Sequence, residues 1–431
     1  MFKTLTENTT FMNILIKSAK IIDTQSKFHQ KTCDILIENG KFTNIAANIS
    51  NQKNYKEIVL KNLHVSTGWF DSSVSFGEPG YEERETIANG LKVAAKSGFT
   101  DIALNATTHP VIDNKSAVEF LISKAQHAAV SLYPIANITQ QAKGIELAEL
   151  YDMSTSGAIA FGDYNTPISN ANLMKLALLY AQNFGGLVLS FPQDTAIANN
   201  GVANEGNNST RLGLKGIPAL SEELQIARDL FLLEYTGGKL HIPTITTAKS
   251  VTLIAEAKKK GLDVTCSVSA HHLFLTDDEL TGFNTNCKVS PPLRTAKDTN
   301  ALIKGIQNRT IDMVTSDHHP IDIEHKKVAF ENALDGTIGL ESFFGAVNAV
   351  LGLENTIDCI TNRPRMRFNI ENQPIAIGKK ASITLFDPDI NYEFQEKHIL
   401  STSKNACFLG KKLKGIVYGI VARNKLVLNK N

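Results

Sequence analysis

Residues 82–104 read EERETIANGLKVAAKSGFTDIAL. Over Glu82–Lys96, Ile87 and Leu91 stand at i, i+4 spacing, the repeat of one helix face, and Ser97-Gly98 supplies the stop. Phe99–Leu104 follows as a candidate strand. The alternation continues in both directions. Further candidate strands are Val65–Phe70, Val130–Ile135, Ala158–Phe161, Leu187–Leu189, Leu240–Ile242, Val264–Val268 and Met313–Thr315. Helical stretches at Ala117–Ala128, Leu173–Gln182, Glu222–Glu234, Val251–Lys260 and Ala301–Gln307 lie between most of them. Eight strands with crossover helices over roughly 300 residues predict an α/β fold, a (β/α)8 TIM barrel. Chemistry in that architecture sits at the C-terminal ends of the strands.

Outside this span the pattern changes. Asp34–Glu38 runs into Asn39-Gly40, a strong hairpin signal, and then Lys41–Thr43. Ile383–Phe386, a turn at Asp387-Pro388-Asp389, Ile416–Tyr418 and Leu426–Leu428 read as a small antiparallel set. Neither end holds enough residues for its own core. The expected division is a β-sandwich domain from residues 12–64 and 373–431, with the barrel of residues 65–372 inserted between them. Residues 1–11, polar and Thr-rich, are read as a disordered extension, with Met12 a candidate start.

The 431 residues suit one large barrel plus a smaller module. Hydrophobic residues make up 42% and charged residues 20%, as in ordinary globular proteins. Lys plus Arg number 44 against 43 Asp plus Glu, so no nucleic-acid or anionic-membrane partner is expected. No apolar run of about 18 residues is present, so no membrane span is expected. Five scattered cysteines, Cys33, Cys266, Cys287, Cys359 and Cys407, form no C-x-x-C pair. They read as reduced thiols of a cytoplasmic protein.

The strand ends carry ordered motifs. Gly68-Trp69-Phe70-Asp71 and Glu78-Pro79-Gly80 flank Ser73 and Ser75, and Thr86 and Gly90 follow in the next helix. Asn105-Ala106-Thr107-Thr108-His109-Pro110, Ala160-Phe161-Gly162-Asp163, His241-Ile242-Pro243-Thr244 and Ala270-His271-His272-Leu273 come next. Lys288-Val289-Ser290-Pro291-Pro292-Leu293-Arg294, Ser316-Asp317-His318-His319-Pro320-Ile321 and Gly339-Leu340-Glu341 complete the set. In this order they resemble the class I dihydroorotases of the amidohydrolase superfamily, across about residues 12–431. The resemblance implies the barrel with its terminal β-sandwich, and a hydrolase of cyclic amides in pyrimidine biosynthesis that uses Zn²⁺.

The departures from that pattern fall on the chemistry. Where the family's strand-one histidine pair stands, this chain has Ser73 and Ser75; its two further histidine positions are Ser190 and Thr244. Zinc takes imidazole, thiolate or carboxylate donors, and a neutral hydroxyl is a poor substitute. Two carboxylates survive: Asp163 at the bridging position, and Asp317, the family's general base. The substrate-contact positions, an Arg, two Asn and a His in the family, are Gly77, Thr107, Ser290 and Ile321. Loss of four ligands and four contacts together reads as release from one shared constraint. The expectation is a catalytically inactive homologue with no cofactor and no metal. It resembles the defective dihydroorotase-like chains that support aspartate transcarbamoylase in a complex, and a homo-oligomer is expected. The alternative is an active cyclic-amide hydrolase, interconverting N-carbamoyl-L-aspartate and dihydroorotate at an altered zinc site.

Blander readings accompany the remaining candidates. The pairs His271-His272 and His318-His319 could rebuild a metal site near Asp317, but adjacent side chains are expected to point apart, and packed imidazoles are the default. His109 and His241 read as structural. Ser73 or Ser190 as a nucleophile lacks a G-x-S-x-G elbow. Gly185-Gly186 reads as a turn before the fifth strand. The hydroxyl-rich mouth offers one more possibility, a pocket for a neutral ligand.

Overall fold

The computed structural model describes residues 13–429, so the extension expected at residues 1–11 and the candidate start at Met12 lie outside the described residues. The barrel strands are β1 (Trp69–Val74), β2 (Phe99–Leu104), β3 (Ser131–Ala136), β4 (Ala160–Phe161), β5 (Leu187–Leu189), β6 (Lys239–Ile242), β7 (Val264–Ser269) and β8 (Met313–Thr315). They pair in parallel and in chain order, from β1 to β8. A parallel bridge between Val74 and His318 joins the two ends, with Ser75 N donating to His318 O at 2.7 Å. The expected (β/α)8 barrel is therefore the observed one. Phe70, Ala103, Ile135, Ala160, Leu189 and Met313 share one buried cluster with Phe368.

The run expected as one strand over Val65–Phe70 is two strands in two sheets. His64–Thr67 pairs with Ile383–Phe386 in the terminal sheet, and β1 begins at Trp69. The break is Gly68, whose N donates to Ser382 O at 2.9 Å and whose carbonyl accepts from Arg365 Nη2 at 3.0 Å. A Cβ there would stand 2.1 Å from Thr100 Oγ1, so only glycine lets the chain pass between the sheets.

Both chain ends build one eight-stranded sheet around a core that includes Ile16, Ile35, Phe42, Val65, Leu385 and Val421. The Asn39-Gly40 hairpin forms as expected. Its φ values of 52° and 71° suit a primed turn, and Glu38 pairs with Lys41. At Asp387-Pro388-Asp389 the chain does not reverse. Ile383–Glu393 continues as a single strand, with a register shift against Lys412–Ala422 between Asp387 and Asn391. A bulge absorbs the proline there, since Pro cannot donate to the ladder. The helix expected from Glu82 begins at Ile87, because Thr86 caps it by accepting from Asn89 N at 3.2 Å. All five cysteines are buried free thiols. Among the described residues no helix is long and apolar enough to cross a membrane.

Candidate functional site at the barrel mouth

Asp317, just past β8, is the hub. Its backbone is left-handed, with φ 47°, which turns the side chain across the mouth toward β1. Ser73 Oγ donates to Asp317 Oδ1 at 3.1 Å, and the Tyr164 hydroxyl donates to the same oxygen at 3.0 Å. Asn105, at the end of β2, donates to Ser73 Oγ at 3.0 Å and to Ser75 Oγ at 3.3 Å. Three strand ends are thus sewn together without an imidazole. Burial pushes the Asp317 carboxyl up to about 6; the hydroxyls of Tyr164 and Ser73 pull against this, and the nearby Asp71 adds to the rise.

Asp71 completes the network. It is fully buried and accepts from Thr315 Oγ1, from Ser316 N at 3.1 Å and from Ser73 N at 3.2 Å. Burial raises it as well, to about 6. Sequence reasoning passed over Asp71 as a flank. The signal was present, because period-two alternation along a strand puts residues 71, 73 and 75 on one face. No comparable sequence signal marks Tyr164, whose φ of 47° turns it inward.

The other expected positions are spent on structure. Asp163 accepts from Asn137 Nδ2 at 3.2 Å, Ile138 N at 3.0 Å, Thr139 N at 3.2 Å and Thr139 Oγ1. Ser190 donates to the buried Asp229 at 2.6 Å. Thr244 has φ 54° and donates its backbone N–H to Ser267 Oγ at 3.2 Å. Ile321 is buried, and Thr107 Oγ1 has no partner among the described residues. A Cβ on Gly77 would stand 1.8 Å from Tyr81 O. The structure therefore brings Ser73, Ser75 and Asp317 together and leaves Ser190 and Asp163 in separate hydrogen-bonded pockets.

The histidines behave as packed imidazoles with one exception in geometry. His241 lies between Thr265 Oγ1 at 2.9 Å and Ser267 Oγ at 3.3 Å, while His109 is exposed. His271 and His272 do not point apart: their ring centroids lie 4.5 Å apart, with the planes tilted by 46°. They lie in the short helix Ala270–Phe274, where neighbours diverge by a helical step and not by the half-turn of a strand. His272 is engaged by Ser269 Oγ at 2.6 Å and Pro291 O at 3.0 Å. Neither ring nitrogen of His271 has a partner among the described residues.

Tyr164, His271, Ser290, Asp317, His319 and Asp335 line a cavity of about 10 Å³. One water needs about 10–15 Å³, and ligand pockets run to about 300–1,000 Å³. At this volume the expected hydroxyl-lined ligand pocket is not open in the structure; the Ser73 and Ser190 hydroxyls donate to Asp317 and Asp229 instead. Nor do the residues fit zinc. Among the described residues no group of three His, Cys, Asp or Glu side chains converges to hold a metal ion. The donors that do meet are serine hydroxyls and a carboxyl whose pKa lies well above the ordinary range.

A parallel eight-stranded barrel, polar side chains at its strand ends and a sheet built from both termini define an amidohydrolase-type protein. Solved structures agree on the fold. L-hydantoinase (dihydropyrimidinase) from Arthrobacter aurescens superposes with a TM-score of 0.85 at 21% identity, covering 97% of this chain and 96% of that one. Dihydropyrimidinase from Brevibacillus agri gives 0.82 at 19%, covering 97% and 95%. The dihydro-orotase-like family profile matches residues 64–250. The dihydroorotase of Geobacter metallireducens is 36% identical over 422 residues, 96% of this chain and 99% of that protein. That of Pelotomaculum thermopropionicum is 38% identical over 424 residues, 97% and 99%. The chain belongs to the dihydroorotase family.

Proposed function

We propose that this chain is a catalytically inactive member of the dihydroorotase family, kept as a structural barrel of pyrimidine biosynthesis in the cytoplasm. Its expected partner is aspartate transcarbamoylase, in an assembly that also contains further copies of this chain. One observation carries the reading: Ser73, Asn105, Tyr164 and Asp317 satisfy one another where a hydrolytic centre would need open donors. A hydroxyl network that closes on itself binds no metal and activates no water. A barrel can persist for its surface when its pocket is empty of function. The test uses the purified full chain. Elemental analysis is expected to find sub-stoichiometric zinc, and dihydroorotate turnover is expected to be absent. Turnover at an ordinary enzymatic rate would overturn the reading.

A second reading is an active cyclic-amide hydrolase with an altered metal site. It is favoured by full-length relatives named dihydroorotase at 36–38% identity and by Asp317 at the end of β8 with a carboxyl near 6. The two readings separate on metal titration. Activity that appears with added zinc or manganese and vanishes in Asp317→Asn would support this second reading.

A further inference from the structure

A cavity of about 490 Å³ lies at the opposite end of the barrel, where β2 and β3 begin and the turns of the terminal sheet close over them. Its size falls in the range of small-molecule sites, roughly 300–1,000 Å³. Its charges are unbalanced: Lys41, Lys380, Arg365 and Arg423 face Asp101 and Glu371. Asp101 is already neutralised by its buried ion pair with Arg365. Arg423 is held by the carbonyls of Ala125 at 3.0 Å and Gln126 at 2.7 Å.

Two features there lack an internal explanation. Lys41 and Lys380 are directly opposed across an antiparallel bridge, and like charges in that position repel. Glu38, the hairpin partner of Lys41, does not relieve them, because it accepts from Lys53 at 2.9 Å and Tyr55 at 2.7 Å. Neither ammonium has a carboxylate partner among the described residues. The second feature is Arg365, only 5% exposed. Its protein acceptors, Gly68 O at 3.0 Å, Thr100 Oγ1 at 3.3 Å and the Asp101 carboxylate, are all reached from Nη2. Nη1 and Nε have no acceptor among the described residues, although the guanidinium also packs over the Phe70 ring at 6.0 Å, and Arg365 lines the cavity.

We propose that this basal cavity binds a small organic oxyanion, a phosphate ester or a polycarboxylate, between the paired lysines and the free edge of Arg365. An anion there relieves the lysine repulsion and gives the remaining N–H donors of Arg365 an acceptor, and the volume leaves room for the molecule that carries it. Tyr133 and Ile370 give that molecule an apolar wall. The site stands whether or not the mouth turns over substrate, because binding alone is measured.

Isothermal titration of the full chain at low salt, with ribose 5-phosphate in one arm and citrate in the other, tests the proposal. Saturable binding of at least one probe is expected, weakening as salt screens the charges. The arm that binds identifies the anion. The double variant Lys41→Gln, Lys380→Gln removes only exposed side chains, so it is expected to keep its Tm or raise it. Its affinity for the bound probe is expected to fall by about tenfold or more. Absence of saturable binding in both arms, or undiminished affinity in the folded double variant, overturns the proposal.

Discussion

Asp317 illustrates how far burial alone can move a single group. Both of its donors, Ser73 Oγ and Tyr164 OH, reach Oδ1, and an asparagine in the same rotamer keeps both bonds while shedding the charge. The folded carboxyl sits near 6, above the ordinary value for an unfolded aspartate. A raised carboxyl favours the fold when protonated, and that contribution is lost as pH climbs from about 4 through about 6. At about pH 8 the wild type therefore carries a buried charge at a cost that Asp317→Asn removes. The variant is expected to be more stable by about 1–3 kcal/mol, allowing for coupling to Asp71. Urea unfolding at about pH 8 checks this, and the gain should begin to fade by about pH 5.5. A destabilised variant would refute it. At this scale the sequence was informative where residue type decides chemistry, as at Ser73 and Ser75. It was silent at Tyr164, where a left-handed φ decides which way a side chain faces.

Among the elements, the loop after β1 is fixed by its own backbone hydrogen bonds. Gly77 N donates to Glu85 O at 2.9 Å, and Gly77 O accepts from Tyr81 N at 2.8 Å. The loop closes so tightly that a Cβ at residue 77 would collide with Tyr81 O. An arginine, the residue that the family resemblance implies for this position, does not fit unless the loop moves. Gly77→Ala is expected to cost about 1–3 kcal/mol through this overpacking, read as a shift in urea midpoint. On the proposed reading, a variant placing histidine at Ser73, Ser75, Ser190 and Thr244 is expected to gain zinc affinity without dihydroorotate turnover, because Gly77 and Ile321 offer no side-chain donor to a substrate; measurable turnover would refute this. Element existence was legible in the sequence because helical and strand periods differ. Element ends were less so. The strand over Val65–Phe70 had to be split because Gly68 makes room for Thr100, a neighbour distant in sequence. Asp387-Pro388-Asp389 resembled a turn because a bulge and a reversal use the same residues.

Over the whole molecule the histidines dominate the response to acid. His241, His271, His272 and His318 are buried, and His319 packs edge-on against Tyr164. Burial holds His272, His318 and His319 down at about 3, and puts His241 and His271 well below the ordinary imidazole range. A depressed imidazole supports the fold above the unfolded value of about 6.5 and withdraws that support as pH falls, at about 1.4 kcal/mol per pH unit for each group. Raised carboxyls act the other way. Asp71 and Asp317 recover stability only below about 6, and Asp163, Asp229, Asp312, Asp335 and Glu341 are raised as well. The histidines begin to withdraw support at about pH 6.5, and the raised carboxyls offset part of that loss as they take up protons. Against a total stability of about 5–15 kcal/mol, a loss of this kind is large enough to show in Tm. Tm is therefore expected to stay level from about pH 8 to 7 and to drop steeply below about 6.5, as followed by circular dichroism melts. Asp317→Asn, which lacks one of the opposing carboxyls, is expected to fall more steeply than wild type. A Tm that stays level or rises down to about pH 5 would show that these imidazoles take up protons in the folded chain.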